Sequence, residues 1–206
     1  MIYKFMGYPY VTPISITSNE SYLMNESLNL KRKVIYKDAQ RWELLITLKD
    51  AGKSKLFSDL MGHWMRTGLH TSFDIPVPQH LGTEIGFVKN DIYGNIGAPT
   101  VSDEGEVGDS SINISHFLAR SYPAGRFITF GNHHKLYAVT ESFDTLAENG
   151  SAEMRVFPSL RQRVPANTPV NFFDVVAKVF NEADSSSFQY TDGIMQNATL
   201  KIVEDV

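Results

Sequence analysis

Alternation with a period of two dominates this chain. In "RWELLITLKD" Trp42, Leu44, Ile46 and Leu48 fall on one side, and Arg41, Glu43 and Thr47 on the other. That is the pattern of a strand with one face buried. Leu45 interrupts the polar side, so that side is expected to be covered as well. The flanking runs "SITSN" and "LNLKRKVIYK" are short and rich in β-branched or aromatic residues, and they read as further strands.

One segment changes period. In "GKSKLFSDLMGHWMRTG" the residues Phe57, Leu60, Met61 and Trp64 recur at i, i+3, i+4 and i+7, which predicts a helix over about 53–66 bracketed by Gly52 and Gly68. Gly62 inside it costs about 1 kcal/mol relative to alanine, so packing against the sheet has to hold it. The following "TSFDIPVPQHLGTE" carries Pro76 and Pro78, neither of which can donate a ladder hydrogen bond, so it reads as an edge segment or an extended crossing.

From residue 82 the texture shifts. "KNDIYGNIGAPTVSDEGEVGDSSINIS" is dense in Gly, Asp, Asn and Ser, the residues that make tight turns between short strands. A second β unit over 82–158 therefore interrupts a first one made of 1–81 and 159–206. Within it "RFITF" and "KLYAVT" predict a hairpin turning at Gly131 and Asn132. A third strand follows the turn "ENGS", with Ala152, Met154 and Val156 alternating against Glu153, Arg155 and Phe157 until Pro158 ends it. Short strands at this spacing predict a small barrel or sandwich. "FFDVVAKVF" tilts toward strand, and "TLKIVE" alternates and is expected to return to the first sheet.

Composition narrows the function classes. The 206 residues suit one large domain or two small ones, and 42% hydrophobic against 20% charged residues is the balance of a folded globule. A net charge of −4 disfavours a DNA binder that needs a basic face. The absence of cysteine excludes disulfides, thiolate zinc sites and a cysteine nucleophile. No apolar run reaches the ~18 residues of a spanning helix, and "MIYKFMGYPYVTP" lacks the build of a secretory signal. Synthesis in a reducing cytoplasm is expected.

The candidate chemistry is thin. His133 and His134 are adjacent, so on a strand they face opposite sides and cannot share an ion, whereas at a turn they could; solvated turn histidines are the expectation. "SDEGEVGDS" does not meet calcium-loop spacing, and there is no HExxH or GxSxG. "GKSK" lacks the first glycine of a phosphate loop and reads as a helix start. Glu141, Asp144, Glu148 and Glu153 offer carboxylates for glycoside hydrolysis, although acids at strand edges are commonplace. Arg155, Arg161 and Arg163 form too small a patch to hold nucleic acid. Trp42 and Trp64 are expected in the core. No catalytic, cofactor or metal residues are assigned.

The run "AGRFITFGNHHKLYAVTE" with "NGSAEMRVFPSLRQRVPANTPV" resembles a pattern found in distal tail proteins of long-tailed bacteriophages, the ring proteins at the tail tip or baseplate hub. Gly125, Phe127, Gly131, Tyr137, Val139, Gly150, Ala152, Pro158, Leu160, Arg161 and Val170 carry it. Arg126 stands where the pattern has an acidic residue. The amino-terminal half agrees in element order. The resemblance implies a β-sandwich ring domain with one helix, built from both chain ends, plus an inserted OB-like β-barrel. It also implies a hexameric ring contacting tail tube protein, hub or baseplate proteins and tape-measure protein, in the virion tail. DNA would pass the lumen without specific binding, and acidic walls suit that because they repel phosphate.

Two other readings stay open at this point. One is a carbohydrate-binding module whose barrel loops present Tyr93, Tyr122 or Tyr137 to sugar rings. The other is a small hydrolase using the acids between 141 and 153.

Overall fold

Strand propensity and alternation carry through to the backbone. The computed structural model describes residues 4–5, 8–9, 11–26, 32–49, 71–77, 99–117, 121–144, 150–172, 175–182, 187–191 and 194–206. These are mainly β, with no helix among them. The helix expected over 53–66 and the boundary expected near residue 82 lie outside the described residues.

In chain order the strands begin with β1 (Lys4–Phe5), β2 (Tyr8–Pro9), β3 (Val11–Glu26), β4 (Arg32–Lys49) and β5 (Phe73–Pro76). There follow β6 (Thr100–Val101), β7 (Ser111–Phe117), β8 (Ser121–Tyr122), β9 (Phe127–Phe130), β10 (Tyr137–Val139), β11 (Phe143–Asp144), β12 (Gly150–Phe157) and β13 (Val170–Asn171). The last are β14 (Val176–Asn181), β15 (Ser187–Thr191) and β16 (Ile194–Glu204). Two compact units result, one from Met1–Ile75 with Lys178–Val206, the other from Pro76–Ala177.

The first unit is built on a sheet ordered β3-β4-β16-β14-β5, with β15 also pairing β16. The C-terminal β16 runs antiparallel to β4, setting Ile202 opposite Leu44 and Leu200 opposite Ile46. Trp42, Leu44, Ile46, Leu200 and Ile202 are all buried on one face, each contributing about 1.5–3 kcal/mol by leaving water. Glu204 is buried too, and its carboxylate accepts the backbone N–H of Trp42 at 3.1 Å. The other face carries charge. Lys201 meets Glu182 at 2.6 Å and Glu43 at 3.1 Å, and Asn19 donates to Glu43 at 2.5 Å. Leu45, expected under cover, stands 44% exposed and pairs in register with Lys201. On the same face Val203, opposite Glu43, is fully buried, so cover reaches Val203 and stops short of Leu45. Pro76 closes β5, which ends the sheet order, where a strand carrying proline is tolerated.

The second unit is a six-stranded sheet ordered β13-β9-β10-β12-β7-β6. The first and last strands of that order meet. Thr100 bridges Pro169, Val101 N–H donates to the Thr168 carbonyl at 2.9 Å, and Val170 N–H donates to that of Pro99 at 2.8 Å. The sheet thus closes nearly into a barrel, which removes the exposed edges an open sheet would leave. Alternation explains what fills it: Ile112 and Ile114 from β7, Met154 and Val156 from β12, Tyr137 and Val139 from β10. Leu160, Val164, Val170 and Phe172 belong to the same core. The unit therefore runs past the boundary expected at residue 158, because the chain after Pro158 keeps feeding apolar side chains into it. Tyr122 also enters this core, stacked on Phe143 with ring centroids 5.0 Å apart.

Candidate functional site

Chemistry-bearing side chains gather on the loops next to the closed sheet. β9 and β10 pair with Ile128 opposite Tyr137, but their connection is longer than a two-residue turn. It runs from Gly131 to Leu136, and Lys135 and Leu136 are buried. Gly131 opens it. A Cβ there would lie 2.6 Å from Cγ of Pro169, and the glycine N–H donates to the Pro169 carbonyl at 2.8 Å. Only a residue without a side chain lets these two backbones approach so closely.

The segment 158–164 begins with a cis Phe157–Pro158 peptide and lies along the loop 104–109. Gly105 and Val164 exchange backbone hydrogen bonds of 3.0 and 2.9 Å, Gly108 N–H donates to the Leu160 carbonyl, and Leu160 N–H to that of Asp109. The tip is a turn in which Asp109 accepts the Glu106 N–H at 2.8 Å and Gly108 takes φ 98°. Arg163 pairs with Glu104, with Glu106 at 3.9 Å.

His133 joins these loops. Its Nδ1 lies 2.8 Å from Asn132 Oδ1 and its Nε2 lies 2.9 Å from Tyr137 Oη. Asn132 Nδ2 donates to the Arg163 carbonyl at 2.8 Å, which fixes the amide so that Oδ1 faces the imidazole. An amide oxygen only accepts, so Nδ1 carries the proton of the neutral ring and Nε2 accepts from the Tyr137 hydroxyl. The hydroxyl oxygen in turn accepts the Arg161 N–H at 3.1 Å. One chain of hydrogen bonds thus leads from the Arg161 amide through Tyr137, His133 and Asn132 to the Arg163 carbonyl. Phe130 packs on both rings, at 5.7 Å from His133 and 5.3 Å from Tyr137. Burial pulls the His133 pKa down from 6.5 to about 4, and the positive charges of His134 and Lys135 push the same way. The ring is therefore neutral at pH 7, as the hydrogen bonds require.

His133 is thus no solvated turn histidine, and its neighbour His134 is the exposed one. Among the described residues no three His, Asp or Glu side chains are grouped to hold a metal ion. Glu141 is exposed and bonded to Arg155 at 3.1 Å. Asp144 is exposed on β11, Glu153 is exposed on β12 opposite Asn113, and Glu148 lies outside the described residues. Tyr122 and Tyr137, considered as platforms for sugar rings, are 1% and 0% exposed and cannot stack on a ligand. Tyr93, Trp64 and "GKSK" lie outside the described residues, and Trp42 is core. Sequence reasoning missed the Asn132–His133–Tyr137 chain, because its far ends sit on Arg161 and Arg163 and no local spacing announces them.

Among the described residues no helix is long and apolar enough to cross a membrane. No protein-family profile and no curated protein matches the chain.

Proposed function

We propose that this chain is a structural protein of a bacteriophage tail, forming a ring at the distal end of the tail tube, joining the tube to the tip or baseplate and leaving a lumen for DNA. The observation that carries the reading is how the residues of the tail-protein pattern are used. Gly131 permits the contact with Pro169, while Tyr137, Val139, Leu160 and Val170 are buried in the core of the closed sheet. A pattern of this kind preserves a scaffold. Several charged groups are likewise paired off, Lys201 with Glu182 and Glu43, and Arg163 with Glu104.

In this reading the unit formed by both chain ends is the ring-forming sandwich, and the closed sheet is an OB-like insert. Six copies make the ring, and neither chemistry nor a cofactor is required of it. Light scattering on the purified chain tests this. A mass near six times 23.2 kDa, alone or on adding tail tube protein, is the expected result. A chain that stays at 23.2 kDa under both conditions and binds glycans would overturn it in favour of a carbohydrate-binding module.

A further inference from the structure

We propose that the His133–Tyr137 pair is a proton-sensitive latch on the Arg161 amide of the segment 158–164, loosening that link when His133 takes up a proton. The argument rests on direction. Nε2 can accept the Tyr137 hydroxyl only while it is bare, and Nδ1 is already committed as donor to Asn132 Oδ1 at 2.8 Å. A proton arriving at His133 must therefore land on Nε2, where the hydroxyl proton now points. The hydroxyl has to rotate, and its hold on the Arg161 N–H at 3.1 Å is disturbed with it. The link through Asn132 to the Arg163 carbonyl at 2.8 Å keeps its Nδ1–H donor in either state, so protonation acts on the Tyr137–Arg161 link alone.

The surroundings oppose the charged ring. Phe130 and Tyr137 pack on it within 5.7 Å and exclude water from those sides. On its own loop the neighbours are His134 and the buried Lys135. From β10 comes the phenol of Tyr137, and from the facing segment come the backbone N–H of Arg161 and the carbonyl of Arg163, whose guanidinium is paired with Glu104. Glu104 and Glu106 are the nearby acids, and they are drawn to Arg163. A cation at His133 would thus gain little counter-charge while meeting the like charges of His134 and Lys135. The depressed His133 pKa, about 4, agrees with that environment. The strands themselves do not use these bonds, since β9, β10 and β13 are tied by their own ladders.

The test uses the full-length protein labelled with ¹⁵N, its amide exchange and histidine ring signals followed from about pH 7 to about pH 3.5. At neutral pH the His133 ring is expected as the Nδ1–H tautomer. On acidification the protection factor of the Arg161 amide is expected to fall about tenfold or more, the worth of one good hydrogen bond, with the midpoint of His133 protonation. The amides of Val139 and Val170, bonded to Arg126 and Pro99 carbonyls, should keep their protection over the same range. In His133→Gln, whose side chain does not titrate in this range, the step at Arg161 should vanish. Steady Arg161 protection while His133 titrates would overturn the proposal. So would loss of Val170 protection together with Arg161, which is global acid unfolding. The wild-type comparison of these amides decides the matter even if the glutamine variant fails to fold.

Discussion

Replacing Gly131 with alanine tests how the second unit closes. The added Cβ would sit 2.6 Å from Cγ and 3.1 Å from Cδ of Pro169. Carbon atoms rest at about 3.5–4.0 Å, so the two backbones must part by roughly 1 Å. Pro169 cannot swing aside as a flexible side chain would, because its ring is fused to the backbone. Its own carbonyl accepts the Gly131 N–H at 2.8 Å, and the next residue, Val170, pairs with Phe130. Parting them stretches a hydrogen bond worth about 0.5–1.5 kcal/mol net and adds an overpacking cost of about 1–3 kcal/mol. Gly131→Ala should therefore destabilise the second unit by about 2–4 kcal/mol, a drop of roughly 1–2 M in the urea midpoint. Urea unfolding followed by tyrosine fluorescence reads this, with amide exchange at Val170 reporting on the seam between β6 and β13. Gly108→Ala is the control. Nothing lies within 4 Å of its Cβ position, so only the strain of φ 98° acts, about 1–2 kcal/mol. If Gly131→Ala unfolds within about 0.5 kcal/mol of the parent, the close approach is not what holds this seam, and the closure argument fails.

The first unit offers two further tests. The side-chain amide of Asn19 is the leading cause that lowers the Glu43 pKa, with Lys201 and Arg41 assisting against burial. A carboxyl whose pKa is depressed on folding adds stability above its unfolded pKa and loses it as pH falls through the folded one. Asn19→Ala should accordingly raise the Glu43 pKa and start that loss at higher pH, as read by carboxyl ¹³C titration; an unmoved Glu43 would show that the hydrogen bond is not the cause. Leu45→Thr should change the stability of the isolated chain by no more than about 0.5 kcal/mol, since Leu45 is 44% exposed. A larger loss by urea unfolding would mean that something covers this face after all.

Legibility followed the range of the interaction. The buried side of "RWELLITLKD" was readable because alternation is a local property, and Trp42, Leu44 and Ile46 are indeed buried. The return of "TLKIVE" to the first sheet was readable too, since only a strand with a matching apolar side could pair with β4. The covering expected over Leu45 rested on one residue, and the neighbouring ion pairs outweighed it. The short strands of the second unit are legible in its turn-rich sequence, but the place where the unit ends is not. Pro158 stops β12, but it does not stop the contribution of Leu160, Val164 and Val170 to the core. The environment of the histidine pair is not legible from the sequence. Adjacency argued against a shared ion, and it said nothing of what each ring would meet.

From the sequence alone, this protein was bound to be rich in antiparallel strands with apolar inner faces, because period-two patterning and turn chemistry act between near neighbours. Which strand ends would meet was decided only in three dimensions. Thr100 reaches Pro169, Gly131 abuts the same proline, and the Arg161 amide finds Tyr137 at a separation of 24 residues. These contacts depend on the register and curvature of the whole sheet, which set backbone distances to within an ångström. No short stretch of residues encodes that.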